Sequence, residues 1–231
     1  MIVERRLLLV RHGITAWNRE GRFQGHLDPP LSAEGRDEAR ALGRRMAASG
    51  EAPGRIISST LRRALETAEM ICGELRAAGL TAELSVAQDP RLMEIGQGEW
   101  EGRTHAELER DDAARYAAWR AHRGDQQPPG AEPIQQALAR VGALLDELQA
   151  PSPPAGSVCL VSHGGTLRLV ARLLLDLSPP QTWSLDLDNA SLSRLSWTHD
   201  GWKLEAWNDA SHLLGRGPTH VGESEGEPLA L

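Results

Sequence analysis

Three short apolar runs stand out along the chain: residues 5–10 (RRLLLV), 55–58 (RIIS) and 157–161 (SVCLV). Each gives way to polar or glycine positions and then to a helical pattern, so each reads as a buried strand. Between them, apolar residues recur at helical spacing. Ser32 is placed to cap a helix with Gly35, Ala39, Leu42 and Met46 facing inward. Thr60 is placed to cap another, with Leu61, Ala64, Leu65, Ala68, Ile71 and Leu75 on one face. Thr104 and Glu107 have capping-box spacing and open a helix to about residue 120. Ile134, Ala137, Leu138, Val141, Leu144, Leu145 and Leu148 hold the helical period, and a further helix is predicted over 166–177. Near the end, Asp200-Gly201 separates ASLSRLSW from WKLEAW, where Trp202, Leu204 and Ala206 alternate with Lys203 and Glu205. That is a hairpin signal.

Strands alternating with helices predict an α/β fold: a single-domain, three-layer sandwich whose mostly parallel sheet is flanked by helices. The hairpin adds an antiparallel strand near the C-terminal part. The domain is expected to span 1–214, with 124–133 and 150–156 as Pro/Gly-rich loops inside it. Residues 215–231, rich in Gly, Glu and Pro, read as a mobile tail.

Composition changes this picture little. The 231 residues are 40% apolar and 25% charged, ordinary for a folded domain, but seven Trp stand beside one Phe and one Tyr. Leu, Ala and Val must therefore fill most of the core. A formal charge of −7 argues against nucleic acid as a partner, while leaving room for a small anion in a local basic pocket. Cys72 and Cys159 lie in apolar surroundings and read as buried, reduced thiols. The opening MIVERRLLLV is too short in its apolar run for a signal peptide, and no stretch reaches membrane-spanning length. The default is a cytoplasmic enzyme without a membrane partner.

In an open parallel sheet, ligands bind beyond the carboxyl ends of the strands. The three runs deliver Arg11 and His12, then Thr60 to Arg63, then Ser162, His163 and Gly164 to that edge. Two histidines and at least two arginines converge there. Guanidinium groups suit phosphoryl oxygens, and an imidazole nitrogen is a competent nucleophile toward phosphorus. A second imidazole, if protonated, would add a cationic donor. The residues alone do not pick out a proton donor for the leaving group among 32 acidic side chains.

At this point the chain resembles the histidine phosphatase superfamily, also called phosphoglycerate mutase-like, over roughly residues 6–213. The resemblance rests on RHGITAWN (11–18), RFQGHLDPPLSAEG (22–35), SSTLRRALETA (58–68), LMEIGQGEWEG (92–102), VSHGGTLR (161–168), DNAS (188–191) and WNDASHL (207–213). It implies a phosphorylated nucleophile at His12, with Arg11 as its phosphate-binding neighbour. Arg63, next to the alanine of its block, is implied rather than Arg62. Glu94 matches the general acid/base and His163 the second phosphate-binding histidine. Asn18, Gln24, Gly25 and Gly164 match positions that touch phosphate or substrate. One departure is Ile14, where the family usually has Glu or Gln; tuning rather than loss of activity is expected.

The implied activity is hydrolysis of a small phosphorylated metabolite, with no cofactor and no metal; a homodimer stays open. The alternative is a 2,3-bisphosphoglycerate-dependent phosphoglycerate mutase, and behind it a non-catalytic phospho-ligand-binding module. Mutases of this family usually carry a longer insertion after the acid with an early tyrosine, whereas here no Tyr precedes Tyr116. Glu99 and Glu101 rival Glu94 but read as solvated or structural. His26 divides evenly between substrate contact and plain loop surface, and His212 between the site and a structural hydrogen bond. His105, His122, His199 and His220 read as exposed, and Trp100, Trp183 and Trp207 as packing residues. Residues 103–134 are expected to cover the pocket. Arg103, Arg115, Arg120 and Arg123, with Trp119, suit either an acidic substrate or a solvated helix face.

Overall fold

The structure, a computed structural model, describes residues 6–121, 126–149 and 156–214. Its strands are β1 (Arg6–Arg11), β2 (Arg55–Ser58), β3 (Val86–Gln88), β4 (Val158–Ser162), β5 (Leu192–Thr198) and β6 (Gly201–Asp209). The helices are α1 (Ala16–Arg19), α2 (Ala33–Ala48), α3 (Arg62–Ala77), α4 (His105–Asp111), α5 (Ala113–Ala121), α6 (Ile134–Gln149), α7 (Gly164–Leu175) and α8 (Pro179–Trp183). The strands form one sheet in the order β3-β2-β4-β1-β5-β6. β1 to β4 run parallel, and β5 is antiparallel to both β1 and β6. The predicted tail 215–231 lies outside the described residues.

Period-two alternation divides the core in two. Leu8 and Val10 of β1, with Cys159 and Val161 of β4, pack on Leu42 and Met46 of α2 and Ala68, Ile71 and Leu75 of α3. Leu7 and Leu9, with Leu160, face Val141, Leu144 and Leu145 of α6 and Leu167 and Val170 of α7. These are the three predicted layers. Both cysteines are free and buried, and burial pushes the Cys159 thiol up to about 12.

Local chemistry departs from expectation at several ends. Ser32 caps α2 as predicted, its hydroxyl accepting from Gly35 N. Thr60 does not cap α3: the N-cap is Leu61, and the Arg62 N–H is met instead by Asp28 Oδ1 at 2.7 Å. The Thr104–Glu107 capping box forms, but the helix it opens stops at Asp111. There Asp112 leaves helical geometry (φ −140°, ψ 35°), and its carboxylate takes the Trp100 indole N–H at 3.0 Å and Arg115 Nε at 2.7 Å. α7 begins two residues earlier than predicted, at Gly164. β3, three residues long with two of them exposed, carries too little apolar pattern to be seen in the sequence. On β6, Leu204 is exposed, because an edge strand covers its inward face only in part.

Candidate active site

The site lies at the carboxyl edge of β1, β2 and β4. Parallel pairing sets Arg11 level with Ser162, and His12 N–H donates to the Ser162 carbonyl at 2.9 Å. His12 and His163 therefore leave adjacent strands side by side, their rings 5.1 Å apart. Both are buried.

The loop that carries His12 is fixed through its backbone. The His12 carbonyl accepts from Asn189 Nδ2 at 3.0 Å and from Ala190 N at 3.1 Å. Gly13 N donates to Thr67 Oγ1 at 3.0 Å, and Ile14 N to the buried Glu38 Oε2 at 2.8 Å. Gly13 has to be glycine, since a Cβ there would sit 2.4 Å from the Gly35 carbonyl oxygen. Ile14 is buried, and its polar contacts run through its backbone, so the departure at this position places an apolar side chain in packed surroundings. The His12 Nδ1–H donates to the Gly13 carbonyl at 2.8 Å. That bond leaves the lone pair on Nε2. Burial, then Arg63 and Arg11, hold His12 well below the ordinary histidine range, so it is neutral at pH 7.

The cations are buried as well. Arg63 is 1% exposed and gives Nη1 to Leu27 O at 2.8 Å and Nη2 to Gly25 O at 2.9 Å, while its Nε meets no protein acceptor. Arg11 gives Nη1 to Leu187 O, and its buried Nε likewise meets none. Burial lowers Arg63 to about 10, with Glu94 first among the groups that oppose the shift. His163 Nε2 lies 2.8 Å from Ser59 Oγ, and its buried Nδ1 has no protein partner. Burial, then Arg63 and His12, keep His163 well below the histidine range, so the protonated form weighed from the sequence is not that of the free protein.

Glu94 sits on a stretch outside regular secondary structure, 2% exposed, against the N-terminus of α7. Its Oε1 accepts from Ile95 N at 2.9 Å and Thr166 N at 3.0 Å, and Oε2 from Gly165 N at 3.1 Å. Helix N-termini favour such an anion. Gly165 makes room for it, as a Cβ there would lie 2.7 Å from Glu94 Oε1. A Cβ on the preceding Gly164 would lie 3.7 Å from the Arg11 guanidinium carbon, so Arg11 and Glu94 flank consecutive residues of α7.

Arg11, His12, Arg63, Glu94, His163 and Gly164 are thus gathered on one rim. Gly25 joins them through its carbonyl. Asn18 and Gln24 meet at Thr15: Asn18 Oδ1 accepts from Thr15 N at 3.0 Å, and Gln24 Oε1 lies 3.3 Å from Thr15 Oγ1. Asn18 is first a capping residue of α1, its Nδ2 left for other use. Arg62 is exposed and paired with Glu66. Glu99 is exposed, whereas Glu101 is structural, its Oε1 accepting from His26 N and Gln97 N, both at 2.9 Å. Sequence reasoning missed Ser59, Asn189, Gly165 and Thr166; all four fall inside quoted blocks, but only the fold shows what they hold.

The sequence matches the histidine phosphatase superfamily (branch 1) over residues 7–210. The chain belongs to this family. Glucosyl-3-phosphoglycerate phosphatase of Mycobacterium tuberculosis is 35% identical over 90% of this chain and 96% of its own length. A probable phosphoglycerate mutase of Yersinia enterocolitica is also 35% identical, over 90% of this chain and 94% of its own length. Among solved structures, a mycobacterial glucosyl-3-phosphoglycerate phosphatase complexed with VO3 superposes with a TM-score of 0.77 at 36% identity, covering 89% of this chain and 99% of that one.

Within this histidine phosphatase, Leu108 of α4 and Tyr116 and Trp119 of α5 pack on Phe23 and Trp100 beside the site. His105 belongs to this cluster rather than to the surface: it is half-buried, its Nδ1 lying 2.7 Å from Tyr116 Oη. His199 is exposed as expected, and His122, Arg123 and His220 lie outside the described residues. Arg103 pairs with Asp111, Arg115 with Asp112, and Arg120 lies over the Tyr116 ring.

Proposed function

We propose that this chain hydrolyses phosphomonoesters of a small metabolite in two steps through a phosphohistidine at His12. The observation that carries the reading is a neutral histidine whose Nδ1–H is tied down, set among buried arginine and histidine nitrogens that have no protein acceptor. Burying such donors without acceptors is costly, and a phosphoryl group supplies the missing oxygens.

In the first step His12 Nε2 attacks phosphorus as the ester P–O bond breaks. Arg11, Arg63, His163 and the Asn18 amide hold the non-bridging oxygens, with Gln24, Gly25 and Gly164 shaping the surrounding rim. Ser59 Oγ accepts from Leu61 N at 3.2 Å and lies 2.8 Å from His163 Nε2; with Ser59 as the donor in that second bond, the imidazole hydrogen sits on Nδ1, where a phosphoryl oxygen would accept it. Glu94 gives its proton to the departing alkoxide. In the free protein Glu94 accepts from Ile95 N, Gly165 N and Thr166 N beside the α7 N-terminus, and the first step uses its carboxyl in the protonated form. In the second step Glu94 takes a proton from water as the water oxygen attacks phosphorus and the P–N bond breaks, releasing inorganic phosphate.

The mycobacterial relative puts a glycosylated phosphoglycerate first among candidate substrates, and the Yersinia relative keeps the mutase reading alive as the alternative. The domain is taken as 1–214. The protein is taken to work in the cytoplasm without a nucleic-acid or membrane partner; no described helix is long and apolar enough to cross a membrane. Self-association as a homodimer is left to sedimentation. A panel of sugar phosphates, phosphoglycerates, nucleotides, a ribazole phosphate and glucosyl-3-phosphoglycerate, run beside a mutase assay with 2,3-bisphosphoglycerate, tests the proposal. Phosphate release from at least one compound, unchanged by EDTA and faster than any mutase turnover, is expected. Mutase turnover exceeding hydrolysis, or chelator loss reversed by a divalent ion, would overturn it.

A further inference from the structure

Glu94 has no helix or strand to place it, yet the backbone on either side of it is held at almost every carbonyl. Leu92 O accepts from Ser162 Oγ at 2.7 Å and Met93 O from Thr166 Oγ1 at 2.6 Å. Glu94 O accepts from His26 Nε2–H at 2.8 Å. A single side chain from α6 adds three more bonds. Arg140 Nη1 donates to Arg91 O at 2.7 Å and Met93 O at 2.8 Å, and Nη2 to Glu94 O at 3.3 Å. The remaining edge of the guanidinium is bidentate on Glu132, Nε to Oε1 at 2.7 Å and Nη2 to Oε2 at 2.9 Å. Glu132 Oε2 in turn accepts from Gly96 N at 3.3 Å, closing the loop on its far side.

We infer that Arg140 is a positioning residue for the general acid: with Glu132 it clamps the backbone of residues 91–96 and so sets where the Glu94 carboxyl stands relative to the leaving oxygen. The inference rests on the proposed role of Glu94. Arg140 does not touch the reacting atoms. Its planar fork is suited to gripping several carbonyls and a carboxylate at once, which lysine cannot reproduce. A packed apolar residue in its place would strip Arg91 O of its donor and leave Met93 O and Glu94 O with one each, and the stretch would shift. Misplacement of a catalytic group by about 1 Å can cost on the order of 10²-fold in rate.

The test compares Arg140→Met, Arg140→Lys and Glu132→Gln with wild type and Glu94→Gln, each on p-nitrophenyl phosphate and on an alkyl phosphate. Loss of roughly 10–100-fold on the alkyl ester is expected for Arg140→Met, with burst-phase phosphorylation by p-nitrophenyl phosphate kept. Glu132→Gln should show the same asymmetry at smaller size, and keeps the question answerable if Arg140→Met does not fold. Adding Arg140→Met to Glu94→Gln should cost little more, since both act on one proton transfer. Equal losses on both substrates, or full additivity with Glu94→Gln, would make Arg140 a plain structural clamp and overturn the inference. Should Glu94→Gln itself treat both esters alike, the acid assignment fails. An asymmetry in Glu94→Gln that Arg140→Met and Glu132→Gln lack sinks only the clamp.

Discussion

Arginines are placed in opposite ways on the floor of the site and on the α4–α5 segment that is expected to cover it. On the floor, Arg11 and Arg63 are buried, give Nη1 (and Arg63 also Nη2) to backbone carbonyls and keep an Nε without a protein acceptor. On the cover, Arg103, Arg110 and Arg115 are satisfied by Asp111 and Asp112 within one or two turns, and the last two are exposed. The same residue type makes the proposed anion site in one region and a solvated helix face in the other. What separates them is burial, which removes water as the alternative partner. The proposed recognition of the phosphoryl group is thus built on the strand ends. Leu108, Tyr116 and Trp119 of the cover instead pack on Phe23 and Trp100.

Glu94→Gln should show the largest graded effect on that comparison. Loss of about 10²–10⁴-fold is expected on alkyl phosphates, against a much smaller loss in the burst phase of p-nitrophenyl phosphate, because a phenolate departs without a proton. Similar losses on both would move the acid elsewhere, with Glu99 tested next. Arg63→Lys comes second, at roughly 10²–10³-fold in kcat/KM, since a lysine cannot hold Leu27 O, Gly25 O and a phosphoryl oxygen together. Near-wild-type kinetics for that variant would dissolve the contrast between floor and cover.

Acid stability gives a smaller effect. His12 and His163 are held neutral by burial, whereas an unfolded chain takes up protons below about pH 6.5. The folded-state values are lowered, so stability is lost as pH falls below the unfolded value, by up to about 1.4 kcal/mol per pH unit for each histidine. Urea melts between pH 7.5 and 5 should show that slope, and His163→Gln should flatten it; an unchanged slope would mean the imidazoles are not buried as neutral groups. Arg115→Ala should do least, leaving kcat/KM within about twofold, as the exposed Arg115 contributes little through its ion pair. A large KM increase there would return the cover arginines to substrate binding.

Much of this could be read in the sequence, for reasons that can be named. β1, β2 and β4 are continuous apolar runs because both faces are covered, and their ends carry Arg11, His12 and His163 directly after the run. Arg63 and Glu94 came from family blocks; no local pattern separates Glu94 from Glu99 or Glu101. The structure distinguishes them through partners distant in sequence: α7 for Glu94, the Gly25 loop for Glu101, water for Glu99. The α3 cap was misread because Asp28, from a separate loop, replaces Thr60. The break at Asp112 was missed since its cause is an indole twelve residues earlier. Arg140 has no sequence signal of a role at all, lying on the half-buried side of a regular amphipathic helix.

The central claim is a covalent phosphoryl group on His12. Rapid acid- and base-quench of the enzyme with a ³²P-labelled substrate, followed by peptide mapping, tests it most directly. The account predicts label that is acid-labile and base-stable, confined to the peptide containing His12, absent in His12→Ala and present only in trace in His163→Ala. Label on serine or cysteine, or full turnover by His12→Ala, would contradict it.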